Sequence, residues 1–218
     1  MQGTPVKTPK VAKILFPSLV WDIPSDEKTI FLTFDDGPTP NITDWVLDEL
    51  NSFNAKATFF CVGENIKHHP HIFNRLIDEG HGIGNHTYNH LKGWDTKTKA
   101  YLKNIKKCDT TITQFAKTAV PNASSKLFRP PYGRIKRSQI KGVQKLGYKI
   151  VMWNVLAVDW NEKISQENCL SNVISNTKSG SIVVFHDSNK AARNMQYALP
   201  IVLRHFSDLG YSFKRIPE

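Results

Sequence analysis

Short, continuously apolar segments alternate with amphipathic segments along most of this 218-residue chain. Strands that are apolar on both faces are typical of a parallel sheet covered by helices, because an antiparallel sheet with one wet face would alternate. We therefore predict an α/β fold, a (β/α) barrel that is complete or short of eight units, with residues 1–28 as an N-terminal strap and residues 29–218 as one domain. The clearest apolar runs are residues 29–34, 57–62, 148–153 and 181–185.

The segments between these runs have apolar residues at helical spacing and recognisable ends. We predict that Thr43 and Ser165 cap two helices, and that two others begin at Pro70 and Pro200. Residues 121–125 are expected to form a loop. The Pro-rich strap is expected to be irregular and to pack on the body through Phe16, Leu19, Val20 and Trp21.

The net charge and the composition limit the classes of molecule that this protein is expected to bind. The net charge of +10 favours an anionic partner, and no nucleic-acid motif accompanies the basic residues. No apolar stretch is long enough to cross a membrane, and no signal-peptide core is visible at the N-terminus, which leaves the location of the protein open. The three cysteines are scattered without a CxxC spacing, so we expect free thiols.

Two adjacent carboxylates, Asp35 and Asp36, end the first apolar run and are followed by Gly37 and Pro38. Successive strand residues point to opposite faces, and a charge at the end of a buried strand is costly unless it is paired. The chain must therefore bend here, and each carboxylate needs a separate partner. An Asp-Gly turn after an ordinary strand is the alternative interpretation.

A pair of histidines offers one such partner. His86 and His90 are four residues apart, which on a helical turn would place both imidazoles on one side. With Asp36 they would supply the two-histidine, one-carboxylate ligand set of a catalytic metal site. A non-haem iron oxygenase uses the same two-histidine, one-carboxylate ligand set and is the alternative class of metal site.

Five polar clusters follow predicted strands or their loops, and in a barrel the carboxyl ends of the strands converge on the face that carries active sites. In chain order they resemble the signature motifs of the polysaccharide deacetylases, the NodB-homology domain of carbohydrate esterase family four. The resemblance extends from about residue 29 to the C-terminus, and it implies a distorted, incomplete (β/α) barrel of the NodB type. The matching motifs are residues 33–38, 86–90, 129–133, 159–160 and 182–187.

The resemblance implies a role for each matching residue around a metal. Asp36, His86 and His90 would hold one divalent ion, with zinc the first choice and cobalt, nickel or manganese as alternatives. Asp35 would be the general base that activates water, and Arg129 would pair with it.

Other residues would serve the leaving group and the substrate. The resemblance implies that the backbone N–H of Tyr132 stabilises the oxyanion. His186 would be the general acid, oriented by Asp159. The acetyl pocket would be lined by Trp160, Val184 and Pro131.

The implied activity is metal-dependent hydrolytic removal of N-acetyl groups from amino sugars of peptidoglycan or chitin-like oligosaccharides. Removal of O-acetyl groups from xylan, hydrolysis of other amides, and an inactive glycan-binding module stay open as alternatives. The basic charge fits a substrate within an acidic cell-wall polymer. One position departs from the family, since relatives often carry an Asp where this chain has Leu156.

Overall fold

The computed structural model describes residues 5–116 and 126–217, so the loop predicted at 121–125 lies outside the described residues. Every pair of strands in the described sheet is parallel, which confirms the predicted sheet type. The strands are β1 (Thr29–Asp35), β2 (Thr58–Cys61), β3 (Gly82–Asn85), β4 (Leu127–Phe128), β5 (Lys149–Ile150), β6 (Val155–Leu156), β7 (Ile182–His186) and β8 (Ser212–Phe213).

The order across the sheet is β5-β4-β3-β2-β1-β7-β6, and β8 pairs with the amino end of β1. This order places β1 in the interior of the sheet, and all seven of its residues are buried. Its carboxyl end therefore lies between those of β2 and β7. The sheet curls into the incomplete barrel predicted from the sequence.

Helices cover the outside of the sheet, and most of them contribute apolar residues to the largest core cluster. They are α1 (Lys10–Leu15), α2 (Ile42–Ser52), α3 (Gly63–His68), α4 (Pro70–Asp78), α5 (Thr98–Phe115), α6 (Arg137–Lys145), α7 (Gln166–Ile174) and α8 (Ala192–Asp208). In the two described ranges no helix is long and apolar enough to span a bilayer. All three cysteines are buried and free, as expected.

Two helix starts agree with the sequence. Helix α4 begins at Pro70, whose missing N–H costs nothing in a first turn. Ser165 caps α7, and its hydroxyl accepts a hydrogen bond from the backbone N–H of Asn168 at 3.2 Å.

Two other predicted starts are wrong. Helix α2 begins at Ile42, after Asn41, and the hydroxyl of Thr43 instead donates to Asp187. Pro200 lies inside α8 rather than at its start, because the helix is held from Ala192 onward by its buried face. That burial outweighs the single backbone hydrogen bond that a proline removes.

The strap spans the gap between the two ends of the sheet. Val20 pairs with Val151 next to β5, and Lys7 pairs with Val155 in β6. Leu19 is buried, and Phe16 and Trp21 pack beside it as predicted, whereas Val20 contributes to a separate cluster. The helix α1 corrects the expectation that the strap is irregular throughout. The division into a strap and one domain stays a prediction.

Candidate active site

The two carboxylates diverge at the end of β1. Asp35 is the last strand residue, and Asp36 has a φ of 84°, in the left-handed region that few residues other than glycine adopt. The side chain of Asn65, in α3, donates to the carbonyl of Asp36 at 2.7 Å and helps to hold this conformation. The bend that the sequence predicted between the carboxylates is therefore present.

Asp35 pairs with a buried arginine. The Nη1 of Arg129 lies 2.7 Å from Oδ1 of Asp35, and the arginine side chain is 0% exposed. Nη1 also donates to the hydroxyl of Thr33, while Nε and Nη2 donate to the carbonyls of Val151 and Met152. Burial lowers the pKa of Arg129 and the charge of Asp35 opposes that change. A buried charge with its donors satisfied in this way is stable where a lone one is not.

Asp36 faces the two histidines. Its Oδ1 lies 3.0 Å from Nε2 of His90 and 3.7 Å from Nε2 of His86, and one ligand atom from each residue lies within 4.8 Å of the others. The helical turn predicted for residues 86–90 is wrong. These residues form a loop in which Thr87 and His90 have positive φ, and this loop brings the two imidazoles together.

The protonation of these groups suits a metal ligand set. His86 is buried, and its Nδ1 lies 2.8 Å from the carbonyl of Arg129, which leaves Nε2 directed at Asp36. Burial lowers the pKa of His86 to about 4, which favours the neutral imidazole that binds metals. Burial opposes ionisation of Asp36, but the hydrogen bond from His90 and the neighbouring imidazoles outweigh it and lower its pKa. These three residues fit one divalent ion.

On the other side of β1, His186 forms a pair with a buried carboxylate. Its Nδ1 lies 2.8 Å from Oδ1 of Asp159, and its backbone N–H donates to Oδ2 of the same residue. Burial opposes the imidazolium, but the charge and hydrogen bond of Asp159 outweigh it and raise the pKa of His186 to about 9. Asn194 in α8 donates to the carbonyl of Asp159 and helps to fix it. His186 is therefore protonated at neutral pH.

The remaining predicted residues surround these groups. Tyr132 lies in the turn Pro131–Gly133 with a φ of 61°, and its ring centre is 4.7 Å from that of His90. The ring centre of Trp160 is 4.7 Å from that of His186. Val184 is buried in an apolar cluster that includes Leu156. Leu156 therefore makes an apolar packing contact. The Asp that relatives often carry at this position would need a polar partner there.

Comparison with known proteins decides the family. The sequence profile of the polysaccharide deacetylases matches residues 22–151. A peptidoglycan-N-acetylglucosamine deacetylase of Bacillus cereus is 34% identical over 202 residues, which cover 92% of each chain. The chain belongs to the polysaccharide deacetylase family. The prediction of a hydrolase of this class is confirmed with it.

Two further relatives of this polysaccharide deacetylase agree. The peptidoglycan-N-acetylmuramic acid deacetylase PdaA of Bacillus subtilis is 32% identical over 195 residues, which cover 88% of this chain and 71% of PdaA. The crystal structure of the Bc1960 peptidoglycan N-acetylglucosamine deacetylase superposes with a TM-score of 0.86 and 32% identity, and covers 96% of this chain and 95% of Bc1960. The fold of the deacetylase is the predicted NodB-type barrel.

Two residues that hold the site in place, Thr33 and Asp187, were not assigned a role from the sequence. Thr33 contacts Arg129, and its position two residues before Asp35 on a buried strand was the available signal, since such residues share a face. The carboxylate of Asp187 accepts hydrogen bonds from the N–H of Gly37 at 3.0 Å and from the hydroxyl of Thr43 at 2.6 Å. These partners lie about 150 residues away, and no local pattern indicates them.

Proposed function

We propose that this protein is a metal-dependent deacetylase that hydrolyses N-acetyl groups on amino sugars of peptidoglycan or a chitin-like glycan. The observation that carries the proposal is the separation of two adjacent carboxylates. Asp36 faces the histidine pair, whereas Asp35 is held 2.7 Å from Arg129. A binding module has no need for this division, but a hydrolase needs one carboxylate as a ligand and another as a base.

Asp36, His86 and His90 are the proposed ligands of one divalent metal. The set of two imidazoles and one carboxylate suits zinc, and cobalt, nickel and manganese accept the same donors. When bound, such an ion supplies a Lewis acid that polarises the acetyl carbonyl and makes water more acidic. The exposed fraction of the Asp36 side chain, 28%, leaves the proposed site open to substrate.

Asp35 is the proposed general base. Its carboxylate is held 2.7 Å from Nη1 of Arg129, and we assign it to accept the proton of the attacking water. The backbone N–H of Tyr132 is proposed to donate to the acetyl oxygen as negative charge develops there.

His186 is the proposed general acid. An amine is a poor leaving group unless it is protonated, and the pair with Asp159 keeps His186 charged at neutral pH. We assign the pocket for the acetyl methyl group to Trp160, Val184 and Pro131. Trp160 and Val184 share an apolar cluster, the ring of Trp160 lies beside that of His186, and Pro131 begins the turn that carries Tyr132.

The proposed substrate follows from the relatives and the charge. The relatives named above act on peptidoglycan according to their names, and the net charge of +10 favours an acidic cell-wall polymer. The proposed partner is therefore an acetylated glycan of that kind.

Acetate release tests the proposal. The protein is assayed on N-acetylglucosamine oligomers and on acetylated xylan after treatment with a chelator, and again after zinc, cobalt, nickel or manganese is restored. We expect release from the amino sugars that stops with the chelator and returns with metal. Release from xylan alone would indicate the esterase alternative. Binding of oligomers without release under any metal would indicate an inactive glycan-binding module and contradict the proposal.

A further inference from the structure

Two exposed aromatic rings, that of Tyr132 beside His90 and that of Trp94, each contact a cation. The Nζ of Lys92 lies 5.1 Å from the ring centre of Tyr132, and the guanidinium carbon of Arg134 lies 5.0 Å from the ring centre of Trp94. Trp94 is 57% exposed and Tyr132 is 55% exposed. We name these four residues the basic ledge. The catalytic roles proposed above use only the backbone of Tyr132.

The basic ledge is built on buried anchors. The amide of Gln139, which is 0% exposed, donates to the carbonyls of Gly93 at 2.8 Å and Thr96 at 3.1 Å. The indole N–H of Trp94 donates to the carbonyl of Ile135 at 3.3 Å. A Cβ at Gly93 would lie 2.3 Å from the carbonyl oxygen of Arg134, so the two segments pack too closely for any side chain there. The indole of Trp94 is therefore held in a fixed exposed position.

Within the described parts of the chain, the cations of the basic ledge have no carboxylate partner. Of the ion pairs within residues 5–116 and 126–217, none includes Lys92 or Arg134, although Asp95 follows Trp94 in the chain. Cation–π contacts instead hold both side chains over the rings. Two positive charges in defined positions are suited to a carboxylate, and a guanidinium can bind one through two hydrogen bonds.

The basic ledge adjoins the proposed metal site, because Tyr132 contacts the proposed ligand His90. The ring of Tyr132 contacts that of His90 on one side and the ammonium of Lys92 on another. A sugar whose acetyl group reaches the metal site would therefore place its own substituents, or those of the next sugar, against the ledge. The exposed indole of Trp94 adds a flat apolar surface suited to the C–H face of a sugar ring.

We propose that the basic ledge binds a carboxylate of the substrate, so that the preferred glycan is an amino-sugar chain with a carboxylate on or next to the sugar that is deacetylated. This inference rests on the proposed deacetylase function and narrows its substrate class. It also assigns the preference to Lys92 and Arg134, with Trp94 as the residue that positions Arg134.

A matched pair of substrates tests this inference. One is an N-acetylated amino-sugar oligomer that carries a lactyl ether carboxylate, and the other is the same oligomer with that carboxylate converted to its amide. For the double variant Lys92→Gln/Arg134→Gln we expect KM for the acid to rise about tenfold or more, because charge-assisted hydrogen bonds are lost. We expect kcat for the acid and both constants for the amide to stay within about twofold.

The control variant is Lys103→Gln/Lys106→Gln, which removes the same charge from the exposed face of α5. It should leave the preference for the acid unchanged. Trp94→Ala should weaken the preference, and Trp94→Phe, which keeps a ring under Arg134, should retain most of it.

The outcomes separate the two proposals. Equal KM values of the wild-type protein for acid and amide, or an unchanged preference in the double variant, would overturn the ledge proposal and leave the deacetylase standing. No acetate release from any substrate with any metal would overturn the deacetylase. In that case calorimetry still tests the proposal for the basic ledge. The wild-type protein should bind the carboxylate oligomer more tightly than the amide oligomer, and the double variant should bind both equally.

Discussion

Asp35 and Asp36 show how two identical neighbours acquire different roles from their environments. The left-handed conformation of Asp36 turns its carboxylate toward His86 and His90, while Asp35 stays in the strand and meets Arg129. Each carboxylate therefore meets a different partner, and the pKa of Asp36 is lowered beside the two imidazoles.

Replacement of Asp35 separates its proposed role from that of Asp36. For Asp35→Asn we expect acetate release to fall about 10²–10⁴-fold, because an amide cannot accept a proton, while zinc still binds. For Asp36→Asn we expect zinc binding itself to weaken. Acetate assays and zinc titration calorimetry measure both effects. Full activity of Asp35→Asn would remove Asp35 from the mechanism.

The pair of His186 and Asp159 predicts a pH effect. Asp159 raises the pKa of His186 from 6.5 to about 9. The protonated imidazole that acts as the acid is therefore present below about pH 9 and is lost as the pH rises through that value. In Asp159→Asn the pKa should fall, and the alkaline decline of kcat should begin at a lower pH.

The free energy of unfolding should also decrease as the pH rises through the pKa of His186. A histidine with a raised pKa stabilises the fold at pH values below 6.5, and this contribution is lost as pH rises toward about 9. Asp159→Asn should remove most of this dependence. The measurements are the pH profile of kcat and urea unfolding at several pH values. An unshifted alkaline decline would exclude His186 as the acid that limits the rate.

At the scale of elements, the loop between β1 and α2 is held from β7. The carboxylate of Asp187 accepts from Gly37 and Thr43, and both Asp187 and Thr43 are buried. A Cβ at Gly37 would lie 1.9 Å from Oδ2 of Asp187, so only glycine fits there. These contacts fix the turn that follows Asp36.

Loss of the Thr43 hydroxyl should therefore destabilise the protein. For Thr43→Val we expect the free energy of unfolding to fall by about 1–3 kcal/mol, because a buried oxygen of Asp187 loses its donor. The matched control is Thr110→Val in α5, whose exposed hydroxyl donates only to a carbonyl of its own helix. The control should change the free energy by no more than about 0.5 kcal/mol. Urea unfolding of both variants measures this, and equal effects would contradict it.

At the scale of the whole molecule, the strap completes an open sheet. The strands β5 and β6 are the two edge strands of the described sheet. Val20 of the strap pairs with Val151 next to β5, and Lys7 pairs with Val155 in β6. The backbone of Val20 exchanges hydrogen bonds with Ile150 and Met152, and the carbonyl of Met152 also accepts from Arg129. The strap thus supports the segment on which the arginine of the site depends.

Two apolar residues of the strap test its contribution. Leu19 is 6% exposed within the cluster around Phe128, so Leu19→Ala should lower the free energy of unfolding by about 2–5 kcal/mol. Ile14 is 75% exposed, and Ile14→Ala should change it by no more than about 0.5 kcal/mol. Denaturant unfolding compares the two. A Leu19→Ala variant as stable as the Ile14→Ala variant would show that the strap is not part of the folded body.

The sequence predicted the features that depend on local burial and backbone conformation. Continuously apolar runs predicted a parallel sheet, because residues buried on both faces must be apolar. Pro70 and Ser165 predicted helix starts through the backbone groups of a first turn. The adjacent carboxylates at the end of β1 predicted a bend and two separate partners.

Tertiary structure decided what depends on residues far apart in the chain. The partner of Asp35 lies 94 positions away, and the hydroxyl of Thr43 serves Asp187 rather than its own helix. Pro200 sits within α8 because packing against the core outweighs its local preference. The loop geometry of His86 and His90 and the cations of the basic ledge likewise arise where distant segments meet. A local pattern reports whether a residue is buried, but only the folded chain determines which group it meets.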